Sequence, residues 1–346
     1  MNGLVVSTVS GRIVPDSLIE DWWTLWHRSP EATPFQSPAW LVPWWKSFSP
    51  GELAIICVRR GTELVGLAPF YIEDTARSKR ALPIGIAISD YLDVLLDPSC
   101  WEIAGAALIE AIAERAEELT SWEFTELAPW SAALRLDAPL HCTDDRDVCN
   151  VCPTLPIPWR ATSLKQFLPT HRLQTVRTAW NRMRRADAPE VVLGDAANAD
   201  ELFAALVSLH AARWQHLETG GVLTDSRVLR FHHVAIPALA AADLLRLFAL
   251  RYRDQYIAVH YGFHHRSRSY AYLVGFDTAH ETLSPGSVLF AHAIETALNE
   301  GATEFDFLRG GESYKYLWGA RDRSNQRRVL RCSRIQFERR IANERH

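Results

Sequence analysis

The segments LAIICVRRGTELVGLAPFYIE (53–73) and LRLFALRYRDQYIAVHYGFHH (245–265) repeat one layout roughly 190 residues apart. In each, a strand-like run ends in an arginine (Arg59, Arg251), a polar turn follows, and the second run opens Leu-Val-Gly or Tyr-Ile-Ala. Each pair reads as a hairpin, with Gly61-Thr62 as the first turn. An amphipathic helix and one further strand close each half: about 101–118 then WEFTEL (122–127), and about 286–299 then TEFDFL (303–308), the latter preceded by the strand SYAYLVGFD (269–277). The period is too long for a solenoid and suits two copies of one domain. A helical crossover between strands predicts one parallel pairing inside an otherwise antiparallel sheet. The expected fold class is mixed α/β (α+β), in two lobes.

The chain has 346 residues, enough for two such domains, and 48% of them are hydrophobic. Its 37 basic and 41 acidic side chains nearly balance, at net charge −4, which argues against whole-surface nucleic-acid binding and against a DNA partner. No run approaches the roughly 20 apolar residues of a membrane span. The start, MNGLVVSTVSGRIVPDS, has neither a charged leader nor a long apolar stretch, so no signal peptide is expected. Six cysteines without regular spacing read as reduced thiols of a cytoplasmic protein. The oligomeric state stays open.

Helices are expected at about 17–28 and 38–47, where Trp22, Trp23, Trp26, Trp40, Trp44 and Trp45 recur at helical spacing and form a packed aromatic face. The proline- and cysteine-rich region 129–160 reads as an irregular connector, which sets the lobes at 1–160 and 161–346. A long basic helix follows over 163–186, interrupted near Pro169. Its Arg172, Arg177, Arg182, Arg184 and Arg185 either contact phosphates or form a solvated face. A further helix at about 200–216 carries His210 and Trp214 on one face, four apart, as substrate-binding candidates against an ordinary packed histidine.

Chemistry concentrates in YLVGFDTAHETLSPGSVLFAHAIETALNEGATEFDFL (272–308). Ser284-Pro285-Gly286-Ser287 leads from a strand directly into a helix. Free amides at a helix start, with the dipole behind them, form an anion site. Gly286 admits a phosphate and Ser287 adds a hydroxyl; the plainer reading is that Ser-Pro-Gly only starts a helix.

The segments LSPGSVL, EFDFLRGGESYKYLWG, PFQSPAW and SDYLDVL resemble the GNAT-type acetyltransferases of the CelD/BioF2-like group, associated with cellulose and exopolysaccharide biosynthesis. The likeness spans about residues 20–335 and is most specific over 284–318. The group is similar to the Fem-type aminoacyltransferases, which carry two GNAT domains in tandem. The resemblance implies acyl transfer from acetyl-CoA or another acyl-CoA, without a metal. It implies a donor site at the fourth strand, Leu273 and Val274 included, and at the phosphate loop and helix start, Ser284, Pro285, Gly286, Ser287, Val288 and Leu289. The loop departs from Gln/Arg-x-x-Gly-x-Gly/Ala: only Gly286 survives, and no basic residue leads it.

Such a transfer needs a base for the attacking amine or hydroxyl and donors for the oxyanion and thiolate. Asp306 and Glu312 are the candidate bases, Tyr314 the candidate proton donor to the thiolate, and Lys315 a candidate for the oxyanion. Packing and ion pairing are the competing roles for all four. Trp318 is a further substrate-binding candidate, as are Asp90 and Tyr91, which hold the corresponding zone of the first half. The first half, LLDPSCWEIAG, lacks a glycine step before its helix, so the donor is expected in the second lobe alone. His141, Cys142, Cys149 and Cys152 lack the second matching pair of a zinc site. No nucleophile elbow, Walker loop or dinucleotide fingerprint is present.

The leading expectation is therefore an acyltransferase acting on an amine or hydroxyl of a polysaccharide or cell-envelope precursor, by direct attack in a ternary complex. Two rivals stand: a Fem-like transferase using aminoacyl-tRNA, and a non-catalytic subunit of a polysaccharide synthase.

Overall fold

The computed structural model describes residues 3–115, 118–139, 142–214 and 221–332, without the side chains of 213 and 214. His141, residues 116–117 of the helix expected at about 101–118 and residues 215–216 of the helix expected at about 200–216 lie outside the described residues. The described residues form two compact units, one from 3–150 together with 324–332, the other from 151–323.

The first unit opens with β1 (Leu4–Gly11), α1 (Asp16–Arg28), α2 (Pro38–Phe48), β2 (Glu52–Arg60), β3 (Glu63–Asp74) and β4 (Lys79–Pro83). It continues through β5 (Leu95–Leu96), α3 (Trp101–Glu114), β6 (Ser121–Leu127), α4 (Ala132–Arg135) and β7 (Cys142–Val151). The expected hairpin forms, with Arg60 opposite Glu63 and Gly61 at φ +62°. Tryptophans do pack: Trp22, Trp26, Trp40 and Trp45 are fully buried, and the Trp22 and Trp26 indole N–H groups donate to the Gln36 and Thr33 carbonyls at 2.9 Å.

The second unit holds β8 (Thr154–Pro156), α5 (Thr170–Ala186), β9 (Glu190–Leu193), α6 (Ala199–Trp214), α7 (Ser226–Ala241) and β10 (Leu245–Tyr252). Then come β11 (Gln255–His265), β12 (Arg268–Phe276), α8 (Pro285–Asn299), β13 (Glu304–Asp306) and the short α9 (Ser313–Tyr316). α7 has no counterpart in the sequence reading; Asp225 caps it by accepting the Arg227 N–H at 2.8 Å, and Pro237 sits inside it.

The duplication is carried by the sheets. The first runs β1-β2-β3-β4-β6 and the second β9-β10-β11-β12-β13, each antiparallel until its last pair. That last pair is parallel in both, β4 with β6 and β12 with β13, as the helical crossovers α3 and α8 require. The fold class is thus the mixed α/β one expected.

Three expectations change. Region 129–160 is no bare connector: it contains β7 and β8. β8 extends the second sheet beside β13, whereas β14 (Ser324–Cys332), near the far end of the chain, joins the first sheet between β6 and β7. The division at 160/161 therefore does not carry this last strand with the second unit, because its hydrogen-bonding partners lie in the first. Finally, Cys142 and Cys332 are bonded to each other, 190 residues apart in sequence, on the neighbouring strands β7 and β14. Cys57, Cys100, Cys149 and Cys152 form no disulfide among the described residues. Among the described residues no helix is long and apolar enough to cross a membrane.

Candidate active site

β12 and β13 pair over only three positions, from Arg268↔Glu304 to Tyr270↔Asp306. Beyond Asp306 the ladder ends, while β12 runs on to Phe276. Alternation along β12 places Val274 and Phe276 on one face and Leu273 on the other. The loop after β12 turns through Ser284, whose φ of +47° is left-handed, and Pro285 opens α8 with its fixed φ and absent N–H.

This helix start has no side-chain cap. The Ser287 and Val288 N–H groups return to the Ser284 carbonyl at 3.0 and 3.2 Å, leaving Gly286 the first-turn amide without a helical acceptor. A cavity of ≈ 420 Å³ opens here, lined by Val274, Phe276, Ser284 to Ser287, Phe290, Tyr314, Trp318 and Arg172. A Cβ added at Gly286 would meet the Phe276 ring at 3.4 Å, across this space.

Of the five arginines that the sequence reading left between phosphate contact and a solvated face, Arg172 stands at this cavity. From the first turn of α5, its Nη2 donates to Ser287 Oγ at 2.9 Å, and its guanidinium lies 4.7 Å from the Trp318 ring centroid. Desolvation lowers its pKa from the ordinary arginine value. Among the described residues its Nε and the indole N–H of the fully buried Trp318 are donors without an acceptor, each a cost of about 1–3 kcal/mol. Arg182, further along α5, donates to the Thr282 carbonyl at 2.7 Å. A basic residue thus reaches the α8 start from another helix, 115 residues away.

The strand-end cluster sorts by burial. Asp306 is wholly buried; it accepts the Leu308 N–H at 2.8 Å and is ion-paired with Arg323, which also holds Glu304 at 2.9 Å. Leu308 takes a left-handed φ of +58°, and that turn is held from Lys315. The buried Lys315 ammonium donates to the carbonyls of Leu308, Arg309 and Gly310 at 3.0, 2.6 and 2.9 Å. It also pairs with Glu312 at 2.9 Å, whose side chain is 55% exposed. Gly310, at φ +105°, holds a backbone conformation that L side chains rarely adopt, and a Cβ there would push the Glu312 carboxylate aside. Tyr314 alone of the four lines the cavity, its ring 5.5 Å from Phe290.

Other candidates lie apart from the cavity. Val288 and Leu289 are core residues on the buried side of α8. Asp90 and Tyr91 are buried in the first unit, their carbonyls accepting from Asn325 at 2.9 Å and Gln36 at 3.0 Å. His210 is buried in α6 against Gly221. The Trp214 side chain is outside the described residues.

Sequence comparison places a family within this geometry. Residues 170–316 match the family model described as an acetyltransferase (GNAT) domain. The match begins at α5 and ends at α9, so it takes in Arg172, the α8 start and Tyr314. The crystal structure of FemX superposes with a TM-score of 0.64 at 12% identity, over 96% of this chain and 99% of that one. L-PGS from Bacillus licheniformis gives 0.57 at 10% identity, covering 93% of each chain. The C-terminal domain of a putative lysylphosphatidylglycerol synthetase from Agrobacterium fabrum gives 0.56 at 10%, over 94% and 95%. At these identities the likeness is one of fold, and it extends over nearly the whole chain. No curated protein matches the chain in sequence.

Proposed function

We propose that the protein is an acyltransferase whose second unit binds an acyl-CoA in the cavity at the start of α8. One observation carries this reading: a cavity of ≈ 420 Å³ at an uncapped helix start, walled by Arg172 and bounded by donors that lack acceptors, inside the segment matched by the GNAT model. An acceptor-rich anion such as a pyrophosphate meets the α8 amides, Ser287 and Arg172 together, and the opening of β12 from β13 takes the thioester arm.

The acyl carbonyl is then attacked directly by an amine or hydroxyl of the acceptor, a polysaccharide or cell-envelope precursor in this reading. Tyr314, on the cavity wall, donates a proton to the departing thiolate. Of the two carboxylates, Glu312 is the exposed one that can exchange a proton with solvent, so it is the preferred base. The ion pair with Arg323 favours a structural role for Asp306, and the three carbonyls held by Lys315 favour the same for it.

Calorimetry with acetyl-CoA, wild type beside Gly286→Glu and Arg172→Gln, tests the donor site. Micromolar binding abolished by the first variant and weakened by the second is the expected result. Absence of binding to the wild type would overturn it.

One observation favours a second reading. Arg177, Arg184 and Arg185 lie exposed on α5, and no acidic residue occurs between 151 and 186. A polyanionic donor such as aminoacyl-tRNA suits that face. It predicts RNA binding whose affinity falls steeply with salt, against salt-insensitive indifference to RNA under the acyl-CoA reading.

A further inference from the structure

The cavity of the second unit has a counterpart in the first, built from corresponding parts of the duplicated fold. Gly66 of β3 pairs with Leu96, and Ala258 of β11 pairs with Phe276, each pairing residue standing fourth in its own strand. Leu96 therefore holds the place of Phe276. Trp101 opens α3 as Pro285 opens α8, and α4 follows β6 as α9 follows β13. Leu96, Trp101 and Arg135 of α4 line a cavity of ≈ 170 Å³, together with Glu31 and Asp93.

The chemistry of this second space is different. Its anion position is filled by the chain itself: Asp97 accepts the Ser99 N–H at 2.8 Å before α3 and pairs with Arg28 at 3.0 Å. A phosphate brought there would meet a carboxylate. The volume is also below the about 300–1,000 Å³ of sites for larger ligands.

What the walls offer instead is charge of both signs. The Asp93 carboxylate accepts the N–H groups of Val94, Ala133 and Ala132 at 2.8, 2.9 and 2.7 Å. A carboxylate has about four lone-pair sites, so one is left over. Burial pushes the Asp93 carboxyl up to about 6 even with the three N–H groups and the Arg135 charge holding it down, so a further cation would stabilise it. Glu31 adds a second carboxylate to the lining. The Arg135 guanidinium lies 5.1 Å from the Trp101 ring centroid and makes no ion pair with a carboxylate among the described residues. It is exposed, on a short helix, and available to a carboxylate of a ligand.

We propose that the first unit's cavity binds a small zwitterion of amino-acid size, its ammonium at Asp93 and Glu31 and its carboxylate at Arg135 above Trp101. This site goes beyond the acyl-CoA reading of the second unit and does not depend on it.

The test uses the full chain and ligand-observed NMR with calorimetry. The probes are the common amino acids and β-alanine, with propylamine and propionate as half-ligands. At least one zwitterion is expected to bind, with each half-ligand about tenfold weaker or more. Arg135→Gln and Glu31→Gln, both away from the backbone amides that Asp93 holds, should each weaken binding about tenfold. Arg172→Gln, in the other unit, should leave it unchanged. Acetyl-CoA titrated in the same instrument reports the second-unit site separately. The proposal is overturned if no zwitterion binds at roughly 10 mM, well above a millimolar dissociation constant, or if binding survives both first-unit variants undiminished.

Discussion

The Arg172 guanidinium stacks on Trp318 at 4.7 Å while its Nη2 donates to Ser287 at 2.9 Å, tying α5 to the first turn of α8. Stacking fixes the plane of the guanidinium, and the hydroxyl fixes its edge. A half-buried cation held this way is pre-organised for an anion at the α8 start.

Arg172→Gln should therefore weaken acetyl-CoA by about 10–100-fold, 1.4 kcal/mol for each tenfold. Arg172→Lys should recover little of it, since an ammonium neither stacks nor presents a fork. Calorimetry on both variants decides this; full recovery by lysine would reduce Arg172 to a point charge.

Lys315→Met should destabilise the second unit by about 2–4 kcal/mol, because three carbonyls lose their shared donor inside the protein. Urea unfolding followed by far-UV circular dichroism measures the change. A catalytic Lys315 with no structural part would show normal stability and lost activity instead.

Two buried histidines set an acid limit on stability. Burial holds His260 down at about 4 and His232 at about 3, against an ordinary value of 6.5. Depressed folded values mean that the unfolded chain binds the extra protons. Stability is then full above about 6.5 and falls as pH drops toward 4 and 3, by roughly 3 kcal/mol for His260. Unfolding midpoints from pH 7.5 to pH 4 should decline in the wild type, and His260→Leu should flatten part of that slope.

Reducing the Cys142–Cys332 bond, or replacing Cys332 with serine, should lower the stability of the first unit by about 2–4 kcal/mol. The bond restricts the unfolded chain, and the range is the one typical of a native disulfide. Differential scanning calorimetry with and without reductant is the direct measurement; an unchanged first-unit transition would show that β14 is held by its ladder alone.

Much of the architecture was legible because its signals are local. Hairpins at Gly61 and between Arg251 and Gln255, and the crossover helices α3 and α8, follow from period and turn chemistry within short windows. β7 and β8 were not legible: β7 is largely polar and exposed, without the alternation that marks a half-buried strand. Their partners β14 and β13 lie far along the chain, and pairing at that separation leaves no trace in a window. The same distance hid the tie from Arg172 to Ser287.

By itself, then, the sequence determined the duplicated hairpin-and-crossover plan and the Ser284–Ser287 helix start, since periodicity, glycine and proline act through the backbone within a few residues. Tertiary structure alone decided which charges stand beside which. It set Arg172 against the α8 start, enclosed Asp306 with Arg323 and Lys315 with three carbonyls, and filled the first unit's anion position with Asp97. The physical reason is that desolvation and ion pairing depend on distance in space, and folding brings together groups that the chain keeps far apart.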